Sequence, residues 1–62
     1  GLGVYEMESG DHTRITNFDD DDPNAPWCSE QGFWYRMDGE YFGDCMSKKR
    51  IVKLIKLDEV QP

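Results

Sequence analysis

The chain has 62 residues, 13 acidic and 7 basic, for a net charge of −6. A length like this holds one domain, residues 1–62, that buries only about 60% of the surface its unfolded chain exposes, which leaves little room for the deep cleft of a small-molecule enzyme. The charge repels nucleic acid phosphate in general, and no apolar run approaches the roughly 18 residues of a membrane span.

Residues 4–8 (Val-Tyr-Glu-Met-Glu) alternate apolar and polar side chains in their last four positions, the period of a half-buried strand. Ser9-Gly10-Asp11 signals a turn. Residues 13–18 contain Thr13, Ile15, Thr16 and Phe18, all good strand formers, so the first elements read as a hairpin. Residues 19–26 (Asp-Asp-Asp-Asp-Pro-Asn-Ala-Pro) exclude regular structure, because adjacent like charges repel and prolines lack a backbone donor. Trp27 ends this loop and is expected to tuck back onto the core.

Residues 32–37 (Gly-Phe-Trp-Tyr-Arg-Met) are the strongest predicted strand, and five of the eight aromatics fall between Phe33 and Phe42. Asp38-Gly39 suits a two-residue type I′ hairpin turn, with residues 40–44 as the return strand. That loop length pairs Met37 with Glu40, Arg36 with Tyr41, Tyr35 with Phe42, and Trp34 with Gly43. One face then carries Phe33, Tyr35, Met37 and Phe42, the better core candidate. The other carries Trp34, Arg36 and Tyr41, residue types typical of binding hot spots and of cation–π clusters.

Residues 47–50 read as a polar connection with room for one 3₁₀ turn. In residues 51–57 (Ile-Val-Lys-Leu-Ile-Lys-Leu) Ile51, Leu54 and Ile55 also fit helical spacing. A strand is favoured, because bases precede the segment and acids follow it, the reverse of what a helix dipole prefers, and because Ile51, Val52 and Ile55 are β-branched. Five short strands joined by turns predict an all-β fold: a small antiparallel SH3-like barrel with an acidic loop.

Residues 1–45 hold eleven acids against two bases, a balance of −9, while residues 46–62 hold five bases against two acids, or +3. The run of Asp19, Asp20, Asp21 and Asp22 has three readings: a solvated loop, a Ca²⁺ loop, or carboxylates that mimic phosphate before a basic groove. The calcium template fails, with Pro23 at loop position 5, which must bear a ligand, and Asn24 where the turn glycine belongs. His12 has no partner in sequence that makes a catalytic triad, and no carboxylate pair with a cleft to separate its pKa values can be identified. Cys28 and Cys45 would close a loop worth about 3 kcal/mol if bridged, and stand equally as thiols in a reducing compartment. They are too few for a zinc site unless His12 and a carboxylate join them. No cofactor is expected. The N-terminus lacks the basic and apolar regions of a signal peptide.

The order of these signals resembles small uncharacterised β-barrel proteins of tailed phages and prophages. The residues that carry the likeness are Gly3-x-Tyr5, Gly10, Thr13-Arg14-Ile15, Trp34-Tyr35, Asp38-Gly39-x-Tyr41, Ser47 and Ile51-Val52. The four-aspartate loop and both cysteines depart from that pattern. The resemblance implies an accessory protein in the host cytoplasm and carries over no catalytic residue.

Two functions follow as expectations. The first is a DNA-mimicking inhibitor, active in host takeover, that occupies a basic site on a nucleic-acid-acting enzyme. Its contacts would be Asp19, Asp20, Asp21 and Asp22, flanked by Glu6 and Glu8, with Trp27 or Trp34 as the apolar anchor. The second is a structural or assembly module that pairs through a strand edge or through the face of Trp34, Arg36 and Tyr41, including as a homodimer. Neither is an enzyme, and neither touches nucleic acid or membrane directly.

Overall fold

Three hairpin turns, built alike on Gly10, Gly32 and Gly39, set the course of the chain in the computed structural model, which describes residues 1–58. In each, the glycine N–H donates to the carbonyl three residues back: Gly10 to Met7 (2.9 Å), Gly32 to Ser29 (2.9 Å) and Gly39 to Arg36 (3.0 Å). The residue before each loop donates to the residue after it, Met7 to Asp11, Ser29 to Phe33 and Arg36 to Glu40, all at 2.8 Å. This is a type I turn followed by a left-handed residue. The glycines have φ of 93°, 87° and 90°, values that cost an L-residue about 1–2 kcal/mol and glycine nothing comparable.

The turns produce an antiparallel meander of β1 (Gly3–Met7), β2 (His12–Phe18), β3 (Trp27–Ser29) and β4 (Trp34–Tyr35). A 3₁₀ turn at Cys45–Ser47 follows, started by the Asp44 carboxylate accepting from the Met46 N–H at 2.9 Å. The chain then returns as β5 (Ile51–Leu57) beside β1, giving one sheet in the order β4-β3-β2-β1-β5. The fold is all-β, the SH3-like plan expected from sequence, and residues 51–57 are a strand. The sheet is not closed by strand pairing. Across its open seam the Ile51 N–H donates to the Gly39 carbonyl at 3.1 Å.

β5 lies on β1 with two irregularities. Val4 faces Lys56 and Tyr5 faces Leu54; Glu6 faces Lys53 and Met7 faces Ile51. Ile55 and Val52 are therefore extra residues, and such bulges bend and twist a strand. The approach is close at Gly3, where a Cβ would stand 2.3 Å from the Lys56 carbonyl oxygen.

The core is small. Alternation in β2 turns Thr13 and Ile15 inward, where they join Met7, Ala25, Pro26, Ser29 and Tyr35. Tyr35 is 1% exposed. Its ring packs on Tyr41 (centroids 5.7 Å apart), and Tyr41 meets Phe33 edge-on at 6.2 Å.

Two sequence expectations need correction here. Residues 40–44 do not form a return strand; only Tyr41 bridges to Tyr35. The fifth strand is instead β3, which begins at Trp27, the residue expected to end the loop and tuck back onto the core. The register of the hairpin at Asp38-Gly39 is also one residue off, with Tyr35 opposite Tyr41 and the Phe42 N–H donating to the Trp34 carbonyl at 2.9 Å. A type I′ turn needs positive φ at both central residues, and among the described residues Lys48 is the only non-glycine with positive φ. The observed turn needs it only at Gly39. A one-residue slip exchanges faces, so Tyr41 joins the core and Phe42 turns outward.

Candidate interaction surface

The acidic loop is held by its own aspartates. The Asp19 N–H donates to the Pro26 carbonyl (2.7 Å) and the Asp22 N–H to the Asp19 carbonyl (3.2 Å). The Asp19 carboxylate accepts from the Asp21 N–H at 2.9 Å, and the Asp22 carboxylate accepts from Asn24 and Ala25, each at 3.2 Å. Asp19 and Asp22 are half-buried by these roles, while Asp20 and Asp21 are exposed. At the foot of the loop Trp27 packs on Phe18 with ring centroids 4.3 Å apart.

Glu6 and Glu8 do not flank this loop. Glu6 stands opposite His12, with Oε1 3.7 Å from its Nε2. Phe18, which adjoins the loop, lies six residues further along β2, about 20 Å at strand rise. The Glu8 carboxylate accepts from Arg50 Nη2 at 3.1 Å, so this acidic pair belongs to the opposite end of the sheet.

Nor do Trp34, Arg36 and Tyr41 form one face. Trp34 and Arg36 are exposed, whereas Tyr41 sits in the aromatic cluster. The Arg36 guanidinium lies 5.6 Å from the Phe42 ring centroid, and Lys49 Nζ covers Phe33 and Tyr41 at 5.1 and 5.6 Å. The cation–π contacts expected from sequence are present, but on different partners.

Cys28 and Cys45 are both free thiols. Among the described residues no three His, Cys, Asp or Glu side chains converge as a metal site would require.

The largest departure from a covered surface is β5. It has one neighbour, β1, and Val52, Leu54, Ile55 and Leu57 are 41–51% exposed. Only Ile51, beneath Gly39, is half-buried. Lys53 and Lys56 alternate with these aliphatic residues, and neither takes part in an ion pair among the described residues. Sequence reading identified the strand and missed its exposure. The available signal was the run Ile-Val-Lys-Leu-Ile-Lys-Leu, apolar on both faces, and among the described residues no α-helix lies over it.

The open seam forms a cavity of about 220 Å³, lined among others by Tyr5, Ile15, Trp27, Tyr35, Asp38 and Ile51. Burial pushes the Tyr35 phenol up to about 12, helped by Tyr41, and burial raises Tyr5 as well, helped by the Asp58 carboxylate. Both rings are neutral at physiological pH.

Comparison of the chain with family models, curated proteins and solved structures found no match.

Proposed function

We propose that the protein is a non-enzymatic interaction module that pairs through the edge of β5, with a second copy of the chain as its partner. The observation that carries this reading is the exposure of four large aliphatic side chains on a seven-residue strand with one neighbour. Such an edge offers unpaired backbone groups and side chains that gain by leaving water. A two-fold axis through Leu54 or Ile55 would make the pair isologous. Either register sets each lysine opposite an aliphatic residue and avoids directly opposed like charges.

Sedimentation across a concentration range tests this. The expected result is a dimer that persists as salt rises and becomes a monomer in Leu54→Lys, with the far-ultraviolet dichroism unchanged. A wild-type chain that stays monomeric at every concentration would overturn it.

A second reading, the acidic inhibitor of a basic nucleic-acid-acting enzyme, draws on Asp20 and Asp21, whose side chains are exposed on a chain of charge −6. It expects capture of such an enzyme from nuclease-treated lysate, release by moderate salt, and loss of capture on changing both residues to Asn. Unchanged capture by that double variant would remove it.

A further inference from the structure

We infer that a second copy of the chain seats its Leu57 at the open seam, against Met37, so that pairing at β5 covers the seam as well as the strand edge. The inference rests on the homodimer reading above and names what the second copy touches beyond the edge.

The two bulges sort the side chains of β5 by face. Directly opposed residues of an antiparallel pair share a face of the sheet. Met7, in the core, and Tyr5, on the cavity wall, mark the inner face of β1, and Gly3 lies on it by alternation. These three oppose Ile51, Leu54 and Leu57. Glu6 and Val4 stand on the outer face and oppose Lys53 and Lys56. Residues three apart in a regular strand point to opposite faces. The extra residues Val52 and Ile55 cancel that alternation, so the inner side of β5 is aliphatic and both lysines lie behind it. Strand pairing around a closed barrel would cover that side. Here Ile51 is covered beneath Gly39, while Leu54 and Leu57 are 47% and 51% exposed.

The aliphatic side of β5 runs into the seam without a break, because Ile51 also lines the seam cavity. Met37 lines it from the turn and is 67% exposed. The Ile51 N–H is taken by the Gly39 carbonyl at 3.1 Å, so the turn blocks a second strand at that residue and leaves 52–57 open to pairing. A two-fold axis normal to the sheet keeps the inner faces of both copies on one side. The second strand runs antiparallel, and Leu57 is the inner-face residue it brings nearest the turn, beside Met37. The edge alone is a small interface. Seven residues span roughly 23 Å, and a sheet is about 10 Å thick, which gives on the order of 230 Å² per copy against about 800 Å² in a stable complex. Two symmetric contacts of Leu57 with Met37, together with the covering of Leu54, add apolar area where the edge falls short.

The test is methionine-methyl NMR of the full chain over a concentration series, read beside sedimentation. The Met37 methyl is expected to shift in step with the dimer fraction, while that of Met46, on the 3₁₀ turn and 81% exposed, stays in place. Met37→Lys is expected to raise the dimer dissociation constant about tenfold or more with the far-ultraviolet dichroism unchanged, and Met46→Lys to leave it as it was. Leu57→Glu is expected to weaken the dimer likewise, and its combination with Met37→Lys to recover part of the loss by setting opposite charges together. A wild-type dimer whose Met37 methyl stays in place and which Met37→Lys leaves intact would overturn the seam contact while edge pairing stood. A Met37 methyl that shifts in a chain sedimenting as a monomer would overturn it too, as would a wild type that stays monomeric with no shift, which removes edge pairing as well.

Discussion

The Tyr35 hydroxyl donates to the Met7 sulfur at 3.4 Å and so joins β4 to β1 through the centre of the core. The fold favours the neutral phenol, since burial raises it from 10.0 to about 12. Above pH 10 the unfolded chain gives up this proton while the folded chain keeps it. Stability that is fully present below pH 10 is therefore lost as the pH rises toward about 12. Urea midpoints should fall across that window, and the Tyr35 phenolate should appear only as the fold is lost. A midpoint unchanged across that window would contradict this. Tyr35→Phe removes only a hydrogen bond to a weak acceptor, the Met7 sulfur, and is expected to cost under about 1 kcal/mol. Tyr35→Ala leaves a cavity and is expected to cost about 3–5 kcal/mol, enough to unfold a domain this small.

Gly3 and Gly10 should respond differently to alanine. At Gly3 the new Cβ meets backbone: 2.3 Å from the Lys56 carbonyl oxygen and 2.8 Å from the Leu57 Cα. Neither atom moves without separating β5 from β1, so Gly3→Ala is expected to abolish cooperative unfolding. Gly10 has nothing within 4 Å of the same position. Gly10→Ala meets only the left-handed backbone penalty, about 1–2 kcal/mol. Denaturant melts of the two variants would decide this, and equal losses would show that the β1–β5 approach is not tight.

Local turn chemistry explains what the sequence revealed and what it hid. Ser9-Gly10-Asp11, the proline-bounded aspartates and the β-branched residues of 51–57 each favour one outcome, and each adopts it. Asp38-Gly39 does not, since it satisfies a two-residue loop and a three-residue loop alike. The difference moves Tyr41 inward and Phe42 outward, and with them half of the aromatic face expected to bind. A comparison among turns resolves the choice: Ser9-Gly10, Gln31-Gly32 and Asp38-Gly39 all place a polar residue before a left-handed glycine. β3 escaped notice because three residues are too few to show alternation, and Pro26 immediately precedes it. The exposure of β5 depends on what fails to cover it, which no local pattern contains.

Within the acidic loop the four aspartates divide into two pairs. Asp22→Ala removes the acceptor for the Asn24 and Ala25 N–H groups, and is expected to cost about 1 kcal/mol or somewhat more, as the loss of a cap does. Asp20→Ala removes an exposed carboxylate that accepts no hydrogen bond among the described residues and relieves like-charge repulsion. It is expected to be neutral or slightly stabilising. Thermal melts at low salt, where repulsion is strongest, would compare the pair. A larger loss for Asp20→Ala than for Asp22→Ala would mean that the loop is held by other contacts.

Lys53 and Lys56 limit how far pairing at β5 can go. Exposed edge strands with β-branched residues and low charge propagate into aggregates, and lysines placed on the edge interrupt that growth. Here the lysines break the run Ile-Val-Lys-Leu-Ile-Lys-Leu into two apolar pairs and a single leucine, and the bulges at Val52 and Ile55 bend the strand. Changing both lysines to threonine keeps β propensity and removes the charges. The double variant is expected to pass beyond a dimer into large assemblies, seen by sedimentation and by turbidity, while Lys53 and Lys56 changed to arginine, which keeps the charges, leave assembly as it was. If the threonine variant does not change the assembly state, the exposed edge is guarded by its bulges alone, and the lysines contribute only solubility.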